Sequence, residues 1–200
     1  HGSAALLKLF CGDRLEHLHQ ADMVVVRRSE DLGNHQRLVS GNVIARHLNH
    51  ENGTHHSIDV VDMFNANGIA CNLTSSDITT PSQLMHAVRF NIETTTAISK
   101  EAVLKSLREN RLLSITQKFD SNVIFELGRK YGFLGRIYSH AIVLTNNILF
   151  ENQQVKGWAF VPQEGNSILS SLHAFLLQVK HKNRQKLITR LVRDLCRDQW

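Results

Sequence analysis

Acyl-transfer chemistry needs a nucleophile, a histidine within hydrogen-bond reach to take its proton, and a polar group that orients the histidine. A helix N-terminus helps twice: it lowers a thiol's pKa, and its free N–H groups hold an oxyanion. His56, Asn72 and Ser139 supply these residue types. His56 follows the Asn52-Gly53 turn signal and opens an alternating, β-branched run to Phe64, which predicts a strand. Asn65 to Gly68 predicts a turn, and Ile69 to Leu73 a returning hairpin partner that brings Asn72 beside His56. Ser139 stands at the predicted start of an apolar helix running to Phe150, with Arg136, Tyr138 and His140 as substrate-pocket residues. A hydroxyl gains far less from a helix terminus than a thiol does, and a plain N-cap is the other role open to Ser139.

The elements that must position these groups run along the whole chain. Leu6, Leu7, Phe10 and Leu18 predict a helix over residues 4–20, and Asp22 to Arg27 predicts a strand. A short helix is expected over 38–48. Residues 84–92 read as a strand with His86, Val88 and Phe90 on one face. Ser99 caps a helix that reaches about Leu113, and a second spans 120–131. Gly157 to Val161 is expected as a short strand, and 166–180 and 183–197 as closing helices. Strands early and helices late favour an α+β fold in one domain, with residues 1–3 read as a purification-tag remnant.

The 200 residues suffice for one core. At 42 % hydrophobic and 20 % charged, the composition is that of a globular chain. Three scattered cysteines without a CxxC pair argue for a reducing compartment, and no secretion signal or membrane span is read. The net charge is +5. Much of it lies near the end, on Lys180, Lys182, Arg184, Lys186, Arg190, Arg193 and Arg197. Such a helix suits an acidic surface such as a phosphoinositide membrane, an inositol phosphate or RNA, or is simply a solvated face. With aromatics at 6 % and no recognition motif, no nucleic-acid partner is expected.

Several segments recur in a familiar order. Ala21-Asp22-Met23-Val24-Val25 stands for a G-D-I strand, with alanine for glycine. His55-His56-Ser57-Ile58-Asp59-Val60-Val61 stands for a histidine strand, and Ile69 to Asn72 for a hairpin strand with a polar residue. Ala87-Val88-Arg89-Phe90 stands for a V-V-R-R strand. Tyr138-Ser139-His140-Ala141-Ile142-Val143 stands for a Tyr-Cys helix start, 83 residues after His56. Over residues 21–150 this order resembles the circularly permuted branch of the papain-like, NlpC-type thiol enzymes. The resemblance implies a permuted papain-like fold, an antiparallel sheet packed against helices, with 166–197 as a helical extension.

It also implies roles. His56 becomes the base, Asn72 its orienting group, and residue 139, as cysteine, the nucleophile of an acyl-enzyme. Members include amidases, proteases, lipid acyltransferases and bacterial toxin or effector domains that acylate host small GTPases. A protein or lipid-linked acyl substrate is therefore expected, with acyl-CoA as a co-substrate of the acyltransferases and no resident cofactor. The compartment is then cytoplasmic, or a host cytosol reached by secretion. Serine at 139 fits an engineered Cys-to-Ser form, a natural pseudoenzyme or a chance alignment, and the first is favoured by the tag-like start.

Other chemistry competes with this reading. The chain holds 12 histidines, and His47, His50, His55, His56 and Asp59 fall within 13 residues, which makes a zinc site conceivable. No HExxH is present, and the papain-like reading assigns no metal. A histidine-rich metal-binding domain, or a basic nucleic-acid- or partner-binding module without catalysis, is the alternative.

Overall fold

The computed structural model describes residues 1–29, 43–46, 50–82, 84–133 and 136–200. The chain is α+β. Its helices are α1 (Gly2–Cys11), α2 (His55–Asn65), α3 (Lys100–Glu109), α4 (Ser121–Lys130), α5 (Ile168–Gln178) and α6 (Arg184–Leu195). Its strands are β1 (Leu18–Arg27), β2 (Ile44–Arg46), β3 (Leu73–Thr79), β4 (Met85–Thr94), β5 (Leu113–Thr116), β6 (Ala141–Leu144), β7 (Leu149–Glu151) and β8 (Gln154–Pro162). They form one sheet in the order β2-β3-β1-β4-β8-β6-β5, with β7 added beside β8.

The sheet is mixed, against the expectation of an antiparallel one. β1 pairs with β3 in parallel, and β5 with β6 in parallel. β4 runs antiparallel to both β1 and β8. Each parallel pair needs a crossover, and α2 and α4 lie in those crossovers.

The first core cluster packs α1, α2 and α3 onto one face through Leu6, Phe10, Val60, Phe64, Val103 and Leu107. Phe10 and Phe90 meet there, ring centroids 5.3 Å apart. Gly157 lies opposite Phe90, and a Cβ on it would sit 2.6 Å from the Phe90 ring. The other cluster joins Ile124 of α4 to Ile137, Ile142, Phe160 and Trp200.

Two expected elements are overturned. Residues 56–64 form a helix, because Ser57, Val60, Val61 and Phe64 recur at helical spacing and are the buried positions of α2. Asn72 therefore has no hairpin partner carrying His56; β3 lies beside β1 instead. Residues 139–150 hold β6, a 3-10 turn and β7 rather than a helix. All four residues of β6 are buried: Ala141 and Val143 enter one cluster, Ile142 and Leu144 the other. A strand covered on both faces reads as a continuous apolar run, which periodicity cannot tell from a buried helix.

Smaller differences follow. The first helix stops at Cys11, and residues 18–20 belong to β1. Residues 1–3, read as a tag remnant, open α1, with Gly2 buried against Val161. The helix expected over 38–48 falls partly outside the described residues, and 44–46 is strand. Strand β4, α4, β8 and the two closing helices stand near where the sequence puts them, while the Ser99-capped α3 stops at Glu109 and Leu113, expected at its end, opens β5.

Candidate functional site

Strand β3 turns an unusual face inward. Its buried residues are Leu73, Ser75, Asp77 and Thr79, so three of four are polar. A buried polar side chain needs a partner, and α2 supplies most of them. Ser57 donates its hydroxyl to the carbonyls of Thr54, at 2.9 Å, and of Asn52. With that proton committed, Ser75 donates to Ser57 at 2.7 Å, and Thr54 donates to Ser75 at 2.6 Å. Three hydroxyls thus fasten the first turn of α2 to the middle of β3.

That fastening places His55 and His56 over Asp77. The Asp77 side chain is 2 % exposed. Its Oδ2 lies 3.4 Å from Arg27 Nη1 and 3.9 Å from His56 Nε2. His55 Nδ1 or Nε2, the His56 ring nitrogen and an Asp77 oxygen all fall within 4.8 Å of one another. The His55 and His56 rings are 4.0 Å apart, and His86 meets His56 edge-on at 6.1 Å. His86 Nδ1 accepts the Arg28 backbone N–H at 3.1 Å, and Arg28 pairs with Glu164 at 2.6 Å.

The cluster is short of hydrogen bonds. Among the described residues, His56 Nε2, Asp77 Oδ1 and Arg27 Nε are buried with no hydrogen-bond partner. Burial, aided by the neighbouring His55, His86 and Arg27, pushes the His56 pKa down to about 3. At 3.9 Å the Asp77 carboxylate is beyond hydrogen-bond reach, and burial with the neighbouring cationic groups outweighs its attraction for a protonated ring. His56 is a neutral imidazole at physiological pH, with a lone pair to give.

The groups chosen from sequence are dispersed. His56 sits at the start of α2. Asn72 is exposed just before β3, where its side-chain amide donates to the His19 carbonyl at 3.0 Å. It precedes Asp77 by five residues, roughly 16 Å along an extended chain. Ser139 is wholly buried, two residues before β6, and donates to Ser114, which donates to the Arg197 carbonyl. Four strand spacings separate β3 from β6, roughly 19 Å. Ser139 therefore caps no helix and does not meet His56. Arg136 is exposed, and Tyr138 packs edge-on against Phe133 at 5.8 Å.

His140 does line a cavity. A groove of about 1140 Å³ runs between α1, α2 and α3, with Ala5, Leu9, Val60, Met63, His140 and Ser170 among its walls. His140 Nε2 lies 3.2 Å from Ser170 Oγ, and burial pushes its pKa down to about 4.

Sequence reasoning missed Asp77, Arg27 and Ser170. The run Leu73-Thr-Ser-Ser-Asp-Ile-Thr79 carried a signal, since its period-two set places Ser75 and Asp77 on one face with Leu73. Of the zinc candidates, His55 and His56 belong to the cluster, Asp59 lines the groove, His50 is exposed, and His47 lies outside the described residues.

Fold and site together define an α+β domain whose mixed sheet carries a buried His-Asp-Arg cluster beneath a helix start. No protein-family model matches the chain, and no curated protein matches it.

Proposed function

We propose that the chain is a divalent-metal-binding domain, with His55, His56 and Asp77 as ligands and zinc as the working occupant. The carrying observation is the convergence of three donor groups within 4.8 Å, two of them bearing buried atoms without hydrogen-bond partners. Two imidazoles and a carboxylate suit zinc, and three protein ligands leave a position for water. Tetrahedral ligands stand roughly 3.4 Å apart, so metal binding would draw the three donors closer than the 4.8 Å that now bounds them. Arg27 contacts Asp77 Oδ2 at 3.4 Å, and Oδ1 has no hydrogen-bond partner, so the carboxylate keeps an uncommitted oxygen to offer a cation. A water held there would be acidified toward neutral pH, the starting point for hydrolysis.

Zinc titration with a competing chelating dye tests this reading. One zinc per chain is expected, lost in both His56→Ala and Asp77→Asn. Binding unchanged in both variants would place the zinc on other histidines and end the proposal.

A second reading retains acyl transfer through a histidine base, at different residues. The Ser170–His140 contact in the groove supports it, with Ser170 in the first turn of α5, where N–H groups lack intrahelical acceptors. A fluorophosphonate probe that labels Ser170, and fails in His140→Gln, is its test. The permuted papain-like reading rests on the order of its segments over residues 21–150, while His56, Asn72 and Ser139 stand apart from one another.

A further inference from the structure

The end of the chain folds into a helical pair, α5 and α6, joined by residues 179–183. Its outer end combines exposed apolar side chains with a run of cations. Phe175, Leu177 and Val179 are each more than half exposed, and Leu187 on the first turns of α6 is 38 % exposed. Apolar side chains this open, gathered at one end, mark a surface that meets something apolar. Around them lie Lys180, Lys182, Arg184 and Lys186, none in an ion pair among the described residues. Between residues 165 and 193 there are six lysines and arginines and no aspartate or glutamate.

The connection is firmly built. The Lys180 N–H donates to the Leu177 carbonyl at 3.0 Å and the His181 N–H to the Leu176 carbonyl at 2.9 Å, the paired bonds of a Schellman cap. That motif puts Lys180 at φ 52°, a left-handed position where glycine is the usual occupant. The chain carries a cation at the very place where its backbone would accept glycine more readily.

We infer that this helical tip docks on an anionic lipid bilayer, with Phe175, Leu177, Val179 and Leu187 entering the interface and Lys180, Lys182, Arg184 and Lys186 on the headgroups. Charge complementarity and the apolar apex together select that occupant. A nucleic-acid backbone would use the cations and leave exposed leucine and valine unpaired with anything. Lipid takes both, since acyl chains accept the apolar side chains while acidic headgroups attract the ring of charge. This inference is independent of the metal site.

The experiment is vesicle co-sedimentation of the whole chain with mixed phosphatidylserine–phosphatidylcholine vesicles and with pure phosphatidylcholine vesicles, at low and high salt. Binding to the mixed vesicles alone, weakened by salt, is expected. Lys180→Gly relaxes the backbone while deleting a charge, so it should keep or raise thermal stability and weaken binding about fivefold. Phe175→Ser should weaken binding at both salt concentrations. Equal sedimentation with both vesicle types, or with neither, overturns the inference. So does binding that survives both variants, or binding of heparin or polyuridylate without binding of vesicles.

Discussion

His56 Nε2 stands 3.9 Å from Asp77 Oδ2, a separation too long for a hydrogen bond and short enough for one cation to touch both side chains. The ring nitrogen is buried and unpartnered, and the carboxylate has one buried oxygen in the same condition. The arrangement gives each residue a measurable signature.

The acid limb of stability should come in part from His140, whose pKa burial lowers to about 4, and most of all from His56. Its folded pKa is about 3, below the ordinary 6.5, so the unfolded chain takes up this proton first as pH falls. The contribution is complete above about pH 6.5 and is lost progressively on the way down to about 3. Its full size is on the order of a few kcal/mol. Urea midpoints measured at neutral and at mildly acidic pH should converge in His56→Gln relative to the parent. An acid limb as steep as the parent's would mean that another group governs it.

Zinc should raise the melting temperature in proportion to the logarithm of its concentration once the site is saturated. In Asp77→Asn the rise should vanish. Without zinc, Asp77→Ala is expected to cost about 1–3 kcal/mol, because a buried carboxylate contact to the partly exposed Arg27 is removed. Scanning calorimetry with and without zinc reads both effects.

Cysteine placed at position 139 should be unreactive. Ser139 is wholly buried in a hydroxyl relay to Ser114 and the Arg197 carbonyl. The native thiols give a quiet background, since burial pushes Cys11 up to about 12 and Cys71 and Cys196 up to about 11. Iodoacetamide near pH 6 should label Ser139→Cys slowly, with no change on adding His56→Ala. Fast labelling that depends on His56 would restore the thiol-enzyme reading.

Where the sequence was legible, one face of an element was buried and the other wet. Strand β4 alternates, α3 announces itself with the Ser99 cap, whose oxygen accepts the Ala102 N–H at 3.2 Å, and α4 carries a single apolar stripe. The failures have physical causes. In α2 the β-branched Ile58, Val60 and Val61 mimic strand alternation, yet the burial set of Ser57, Val60, Val61 and Phe64 is helical. In β6 both faces are covered, so no period remains to read. His56 and His55 were legible as polar residues of interest. Asp77 was not, because only the parallel pairing of β3 with β1, across many intervening residues, brings Asp77 to Arg27.

Gly157→Ala should be the most disruptive small change in the first core cluster. Its Cβ would press on Phe90, which is wholly buried and already in contact with Phe10. Overpacking of this kind costs about 1–3 kcal/mol. Gly157→Ala combined with Phe90→Leu should recover part of the loss in a urea titration, and no recovery would locate the strain elsewhere.

Residues 198–200 run alongside β5, the last strand on the β6 side of the sheet. The Ile115 N–H donates to the Asp198 carbonyl and the Trp200 N–H to the Ile115 carbonyl, both at 2.9 Å, while Trp200 itself is buried in the α4 cluster. Strand edges with open N–H and carbonyl groups recruit other chains, and this short segment occupies those of Ile115. The buried Trp200 ring, the Ser114 and Thr116 hydroxyls and the Arg111–Asp198 pair hold the segment in place, so loosening it would uncover an adhesive border and invite precipitation before the sheet itself came apart.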